Sequence, residues 1–162
     1  MQLKYASSGG KRGSFAGRTS GFSMLEMLLV LIIIAVLVGI VIPKIETIIR
    51  HERVNRAAQV LVQDLQNGFA MAGRQRAPVR LTFTPSTQTY VFTDRASGTV
   101  LQTRVMSTGS EYSLTSLATD ATTVDILPNG IGSTAFEVTL ANGDYSRKVK
   151  ASTAGFIRMN PQ

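Results

Sequence analysis

No cysteine occurs in the 162 residues, and histidine occurs once, at His51. The first absence excludes disulfide frameworks, thiolate metal centres and cysteine nucleophiles, and a single imidazole leaves little basis for a histidine zinc site or a catalytic triad. The fold must hold by packing alone. Charge is also scarce: 17% of residues are charged against 44% hydrophobic, which excludes disorder along the whole length and suits one domain of ordinary size. Acids are missing from the front of the chain, where Lys4, Lys11, Arg12 and Arg18 stand unopposed in the first 21 residues. The net charge of +7 comes from 17 bases and 10 acids, so the remainder holds 13 bases against 10 acids and most of the excess is local. Such an excess brings lipid head groups, nucleic acid and acidic proteins into view as partners.

What is present in abundance is one apolar run. Residues 27–42 read MLLVLIIIAVLVGIVI, without a charged or strongly polar side chain. Extended back to Phe22 the run has 21 residues, about 31 Å at ~1.5 Å per residue, which matches a bilayer's hydrocarbon layer. A core helix apolar on all sides needs a larger protein around it than 162 residues supply. A secretory h-region is shorter, about 7–15 residues, and ends in a small-residue cleavage site, whereas this run leads into Pro43-Lys44-Ile45. One membrane-spanning helix is the expectation. Lys44, Arg50, Arg53 and Arg56 follow the span, four bases against the leader's four, so counting Lys and Arg does not orient it.

Glu26 breaks the pattern, because a carboxylate inside such a span costs a few kcal/mol unless it lies at the interface or finds a cation. One reading places it at the head-group boundary. The other starts from Gly21, which separates the basic leader from Phe22: proteolysis after Gly21 would create an α-ammonium four residues before Glu26. Arg18-Thr19-Ser20-Gly21, then Phe22-Ser23-Met24-Leu25-Glu26 and a long apolar helix, resembles the class III signal of type IV prepilins and pseudopilins. The resemblance implies cleavage between Gly21 and Phe22 by a prepilin peptidase on the cytoplasmic side, N-methylation of Phe22, and a role for Glu26 in setting the register of assembly. It also orients the chain, with the leader inside and the C-terminal body in the periplasm. Pro43 is where helices of this family loosen; physically, proline removes a backbone donor and clashes with the preceding turn, so a kink is expected there.

Beyond Pro43, Val54, Ala58, Leu61, Leu65, Phe69 and Ala72 form a helical stripe, with Arg53, Arg56, Gln59, Gln63, Asp64 and Gln66 on other faces. Gly73 and the segment 74–78 are expected to end this amphipathic helix. The period then changes. Val79, Leu81 and Phe83 alternate with polar residues, 85–88 supplies a turn, and Tyr90 with Phe92 starts a second strand. Further strands are expected over 99–106, 111–117, 123–127, 134–140, 145–151 and 156–159, with tight turns at Pro128-Asn129-Gly130 and Asn142-Gly143-Asp144. The expected class is α+β: a leader over 1–21, a transmembrane and assembly helix over 22–43, an amphipathic helix over 44–76, and a β-rich antiparallel domain over 77–162. This order, with Ile126-Leu127-Pro128-Asn129-Gly130 and the closing segment Ser152-Thr153-Ala154-Gly155-Phe156-Ile157-Arg158, resembles the GspH/FimT branch of the pilin-like proteins. That branch comprises H-type minor pseudopilins of type II secretion and the minor pilins FimT and FimU.

No catalytic constellation is present, so the chain reads as a structural subunit with no cofactor and no metal. Ser8-Gly9-Gly10-Lys11 lacks phosphate-loop spacing and reads as flexible leader. His51 reads as a solvated side chain on a polar helix face, and Asp120 with Asp125 do not by themselves define the calcium site that related major pseudopilins carry. Arg147, Lys148, Lys150 and Arg158 are the basic residues available for an anion or DNA. On a strand Lys148 and Lys150 share one face and Arg147 takes the other, so a charged edge strand is the simpler account. Three roles remain open at this level. The resemblance implies a pseudopilus subunit whose partners are the prepilin peptidase, sister pseudopilins and, before assembly, lipid. Alternatives are a FimT-like minor pilin concerned with pilus initiation or DNA uptake, and a plain membrane-tethered β-domain.

Overall fold

The computed structural model describes residues 21–160, the side chains at 40–43 excepted. The basic leader with its glycine-rich stretch, and the kink expected at Pro43, lie outside what is described. One long helix, α1 (Met24–Gln75), precedes eight strands, and the chain divides into two compact units on either side of residue 40.

In the first unit every described side chain over 21–39 is exposed, including Leu28, Leu31, Ile32 and Ile34. The helix is long and apolar enough here to cross a membrane. It has no core of its own, and its many Ile and Val residues are only moderate helix formers, so its backbone hydrogen bonds hold it without packing support. The start is capped by the chain itself: the Ser23 hydroxyl accepts a hydrogen bond from the Leu25 N–H at 3.3 Å, as an N-cap does. Glu26 then falls in the first turn, where the helix dipole favours a negative charge. Ser23 and Glu26 have the spacing of a capping box.

In the second unit α1 has a buried side. Val54, Ala57, Ala58, Leu61, Leu65 and Ala72 are fully buried, and Phe69 is partly so. The helix runs past Gly73 and stops at Gln75, where Arg76 takes the left-handed conformation at φ 51°. The terminator is therefore Arg76, just ahead of Pro78, because proline restricts the residues before it and cannot continue the helix. Strands β1 (Val79–Thr84), β2 (Thr89–Asp94), β3 (Val100–Val105) and β5 (Thr123–Ile126) form one antiparallel sheet in the order β3-β2-β1-β5. Strands β4 (Ser116–Thr119), β6 (Phe136–Asn142), β7 (Tyr145–Ala151) and β8 (Ile157–Asn160) form another, in the order β4-β6-β7-β8.

Alternation along β6 puts Phe136, Val138 and Leu140 into one core with Leu81, Phe83, Tyr90 and Phe92 of the first sheet and with the helix stripe. Phe83 and Phe136 meet at 5.7 Å between ring centroids, joining the sheets. Helix and first sheet approach closely at Gly68, where an added Cβ would lie 2.5 Å from the Phe92 ring. The hairpin turn at Gly143-Asp144 has positive φ, 61°, at its first residue only, the pattern of a type II′ turn.

Two strand expectations need correcting. Of the segment 111–117 only the end is strand: Tyr112 and Leu114 are buried from a loop in which Ser113 has φ 48°, and pairing begins at Ser116. Core burial there is achieved by side chains reaching in from turns, which mimics alternation. Nor is β7 an edge, since β8 pairs along its far side.

Candidate functional site

Two places carry the residues singled out by the sequence. The first is the junction ahead of α1. Gly21, Phe22 and Ser23 precede the first helical residue in irregular backbone, all three are exposed, and an added Cβ at Gly21 would meet nothing within 4 Å. Five residues after Gly21, Glu26 is exposed on a helix surface otherwise made of Leu, Ile, Val and Met, and among the described residues no cation pairs with it.

The second place is the outer face of the sheet β4-β6-β7-β8. Lys148 and Lys150 both reach Glu137 on β6, each Nζ 2.8 Å from a carboxylate oxygen. Lys148, followed by Lys150, holds the Glu137 carboxyl below the usual range, and Glu137 in turn raises Lys150. Arg147 turns to the opposite face, where its Nε donates to Asn55 Oδ1 at 2.8 Å and its guanidinium lies 5.4 Å from the Tyr145 ring centre. The Tyr145 hydroxyl donates to the same Asn55 oxygen at 3.1 Å. Arg147 is thus part of the attachment of α1 to β7. Arg158 on β8 stands directly opposite Lys150 and is exposed. The four bases do not form one strip: two share an acid, one faces the helix and one stands on the edge strand with no ion pair among the described residues.

His51 keeps the exposed helix position of its sequence reading and adds one contact. It is exposed, yet its ring stacks on Tyr145 at 3.9 Å with 21° between planes, extending the Asn55–Tyr145–Arg147 cluster by one helical turn. Asp125 is held by both Arg80, at 2.8 Å, and Arg95, at 3.3 Å, and Arg80 draws its carboxyl below the ordinary value. Asp120 Oδ1 accepts the Glu137 N–H at 2.9 Å. The two aspartates therefore serve the sheets and do not offer a set of free oxygens to calcium; among the described residues no cluster suits a metal.

The group that sequence reasoning misplaced most is Asp64. It sits between Leu61 and Leu65 on the buried side of α1, where it accepts the Tyr90 hydroxyl at 2.7 Å and a two-pronged contact from Arg104 at 2.9 and 3.2 Å. Burial, followed by the bond to Asp64, pushes the Tyr90 hydroxyl well up, and Asp64 raises Arg104. The available signal was angular: one residue before Leu65 and three after Leu61, Asp64 lies within the apolar stripe, not opposite it.

A long helix with an apolar, uncovered first part, followed by an amphipathic part packed on antiparallel sheets, is a pilin-like architecture. Crystal structures of the type IV minor pilin FimU of Pseudomonas aeruginosa match with TM-scores of 0.53 and 0.55 at 20% and 19% identity, covering 66% and 68% of this chain and 92% and 90% of theirs. The minor pseudopilin EpsH of the Vibrio cholerae type 2 secretion system matches with a TM-score of 0.55 at 17% identity over 67% of this chain and 96% of its own. At these identities the likeness establishes the fold. Sequence comparison with curated proteins gives no match. The model of the family described as type II transport protein GspH matches residues 57–155, more than half of the sequence, and covers the amphipathic part of α1 and the strands up to the β7–β8 turn, so the chain belongs to the GspH family.

Proposed function

We propose that this protein is an H-type minor pseudopilin: a precursor cut between Gly21 and Phe22 by a prepilin peptidase, N-methylated at Phe22, and held in the inner membrane by its apolar helix with residues beyond 43 in the periplasm. From there it enters the pseudopilus of a type II secretion system, where sister helices replace lipid around α1 and the filament supports protein export across the outer membrane. The observation that carries this reading is Glu26, an exposed acid in the first turn of a helix surrounded by exposed apolar side chains. In lipid or in a filament core that carboxylate is costly unless neutralised, and the α-ammonium of Phe22, its own or a neighbour's, is the cation that cleavage supplies.

N-terminal sequencing of the protein after co-expression with a prepilin peptidase tests it. A mature chain beginning at Phe22 is expected, with Gly21→Ala uncut yet still membrane-inserted; a native chain still beginning at Met1 overturns the reading and leaves a tethered domain.

A second reading, a FimT- or FimU-like minor pilin that contacts DNA, draws support from the likeness to FimU. Its weakness is electrostatic, because Glu137 already neutralises part of the Lys148 and Lys150 charge and Asn55 holds Arg147. Salt-dependent retardation of duplex DNA by the protein, lost on joint replacement of Lys148 and Lys150, is the result that would favour it.

A further inference from the structure

The outer face of the second sheet carries a row of charges set by strand register. Glu137 on β6 stands opposite Lys150 on β7, and Lys150 stands opposite Arg158 on β8. Asp120 extends the row beyond Glu137 through its bond to the Glu137 amide. Read across the sheet, the row is acid, acid, base, base, and it stops at Arg158 because β8 is the edge. Like charges directly opposed on neighbouring strands repel, and Lys150 is relieved by Glu137 at 2.8 Å. Arg158 has no such relief among the described residues.

The edge is also incompletely covered on its other face. Ile157 is partly buried against the core, while Met159 is 39% exposed beside a shallow groove formed by Gln59, Val62 and Gln63 of α1. Phe156, at the turn into β8, is 71% exposed and walls an open cleft of about 640 Å³ together with Lys150, Arg158 and Asn160. An unpaired strand of this kind presents backbone donors and acceptors to any extended segment that fits.

We infer that the free edge of β8 is a docking site for an extended segment of another protein, which adds as a further strand with a carboxylate opposite Arg158 and apolar residues on either side of that acid. The acid is the next rung of the row. Its apolar neighbours, pointing to the opposite face by strand alternation, cover Ile157 and Met159. A second copy of this chain is a poor occupant, since the carboxylates at its other described edges are already engaged: Asp120, at the end of the uncharged β4, accepts the Glu137 amide, the one charge of β3 is Arg104, committed to Asp64, and Asp125 of β5 is held by Arg80 and Arg95. The site does not depend on processing at Gly21.

Binding of labelled, end-capped peptides to the full chain in detergent tests this, using a short strand centred on Val-Glu-Val and its counterparts with Lys or Gln at the centre. The Glu peptide is expected to bind about ten-fold more tightly than the Lys peptide, and Arg158→Glu, an exposed change, is expected to reverse that order. Bound Glu peptide should also slow hydrogen exchange at the amides of β8. Equal affinity for the three peptides, no binding, an order unchanged by Arg158→Glu, or preference without protection of β8 overturns the inference. So does binding of duplex DNA alone, which would make the edge a phosphate contact.

Discussion

The two acids of α1 that fall among apolar residues have opposite fates. Asp64 is 4% exposed and spends its oxygens on Tyr90 and Arg104, both supplied by the sheet against which the helix lies. Glu26 is exposed, and no cation pairs with it among the described residues. The surroundings differ in the same way: over 54–72 the apolar side chains are covered by strands, whereas over 22–38 Leu, Ile and Val lie bare. One unit is satisfied within the chain. The other exposes an apolar surface and a charge that have no partner among the described residues.

That contrast can be broken at either acid, and the largest effect is expected at Glu26. Glu26→Ala should leave cleavage and the unfolding of the β-rich unit unchanged while removing most incorporation into filaments, read as protein recovered with sheared pseudopili; wild-type recovery would mean that the bare acid has no assembly role. Asp64→Ala should do the reverse, lowering stability by about 3 kcal/mol because Arg104 and the Tyr90 hydroxyl lose their partner inside the fold. Chemical denaturation in detergent checks it, and Asp64→Ala should be processed normally if any folded protein remains.

A smaller effect tests how closely the satisfied unit is packed. Gly68→Ala places a methyl against the Phe92 ring, where the built Cβ is 2.5 Å away, and should cost about 1–3 kcal/mol as helix and sheet part. Gly39→Ala, where an added Cβ meets nothing within 4 Å, should cost nothing by the same measurement.

The smallest effect is on pH. Arg80 lowers the Asp125 carboxyl and Lys148 lowers that of Glu137, so both acids contribute stability above the ordinary carboxylate range, near pH 4, and lose it as pH falls through their depressed values. The midpoint of urea unfolding should therefore decline below about pH 4, and Asp125→Asn should flatten part of that decline. An unchanged slope in the variant would show the ion pair to be energetically idle, as many exposed pairs are.

Local pattern made much of this legible. The steps between Val54, Ala58, Leu61 and Leu65 announced the buried side of the helix, and Gly143 announced the β6–β7 turn. Asp64 did not stand out, since polarity argues for the surface unless the partner is known, and Arg104 lies 40 residues away. The segment 111–117 imitated a strand because Tyr112 and Leu114 are buried from a loop. His51 gave no sign of its contact with Tyr145, which requires the β6–β7 hairpin to be laid along the helix.

Composition and periodicity alone determined that the chain has one uncovered apolar helix, an amphipathic continuation and an antiparallel β body, because these follow from which side chains can leave water at a repeat of 3.6 or 2. Only tertiary structure decided which strands lie at the edges, which acid is neutralised within the chain, and that the charged row over β6 and β7 ends unanswered at Arg158. Those are matters of pairing between residues far apart in sequence, and register across a sheet is set by the whole core at once.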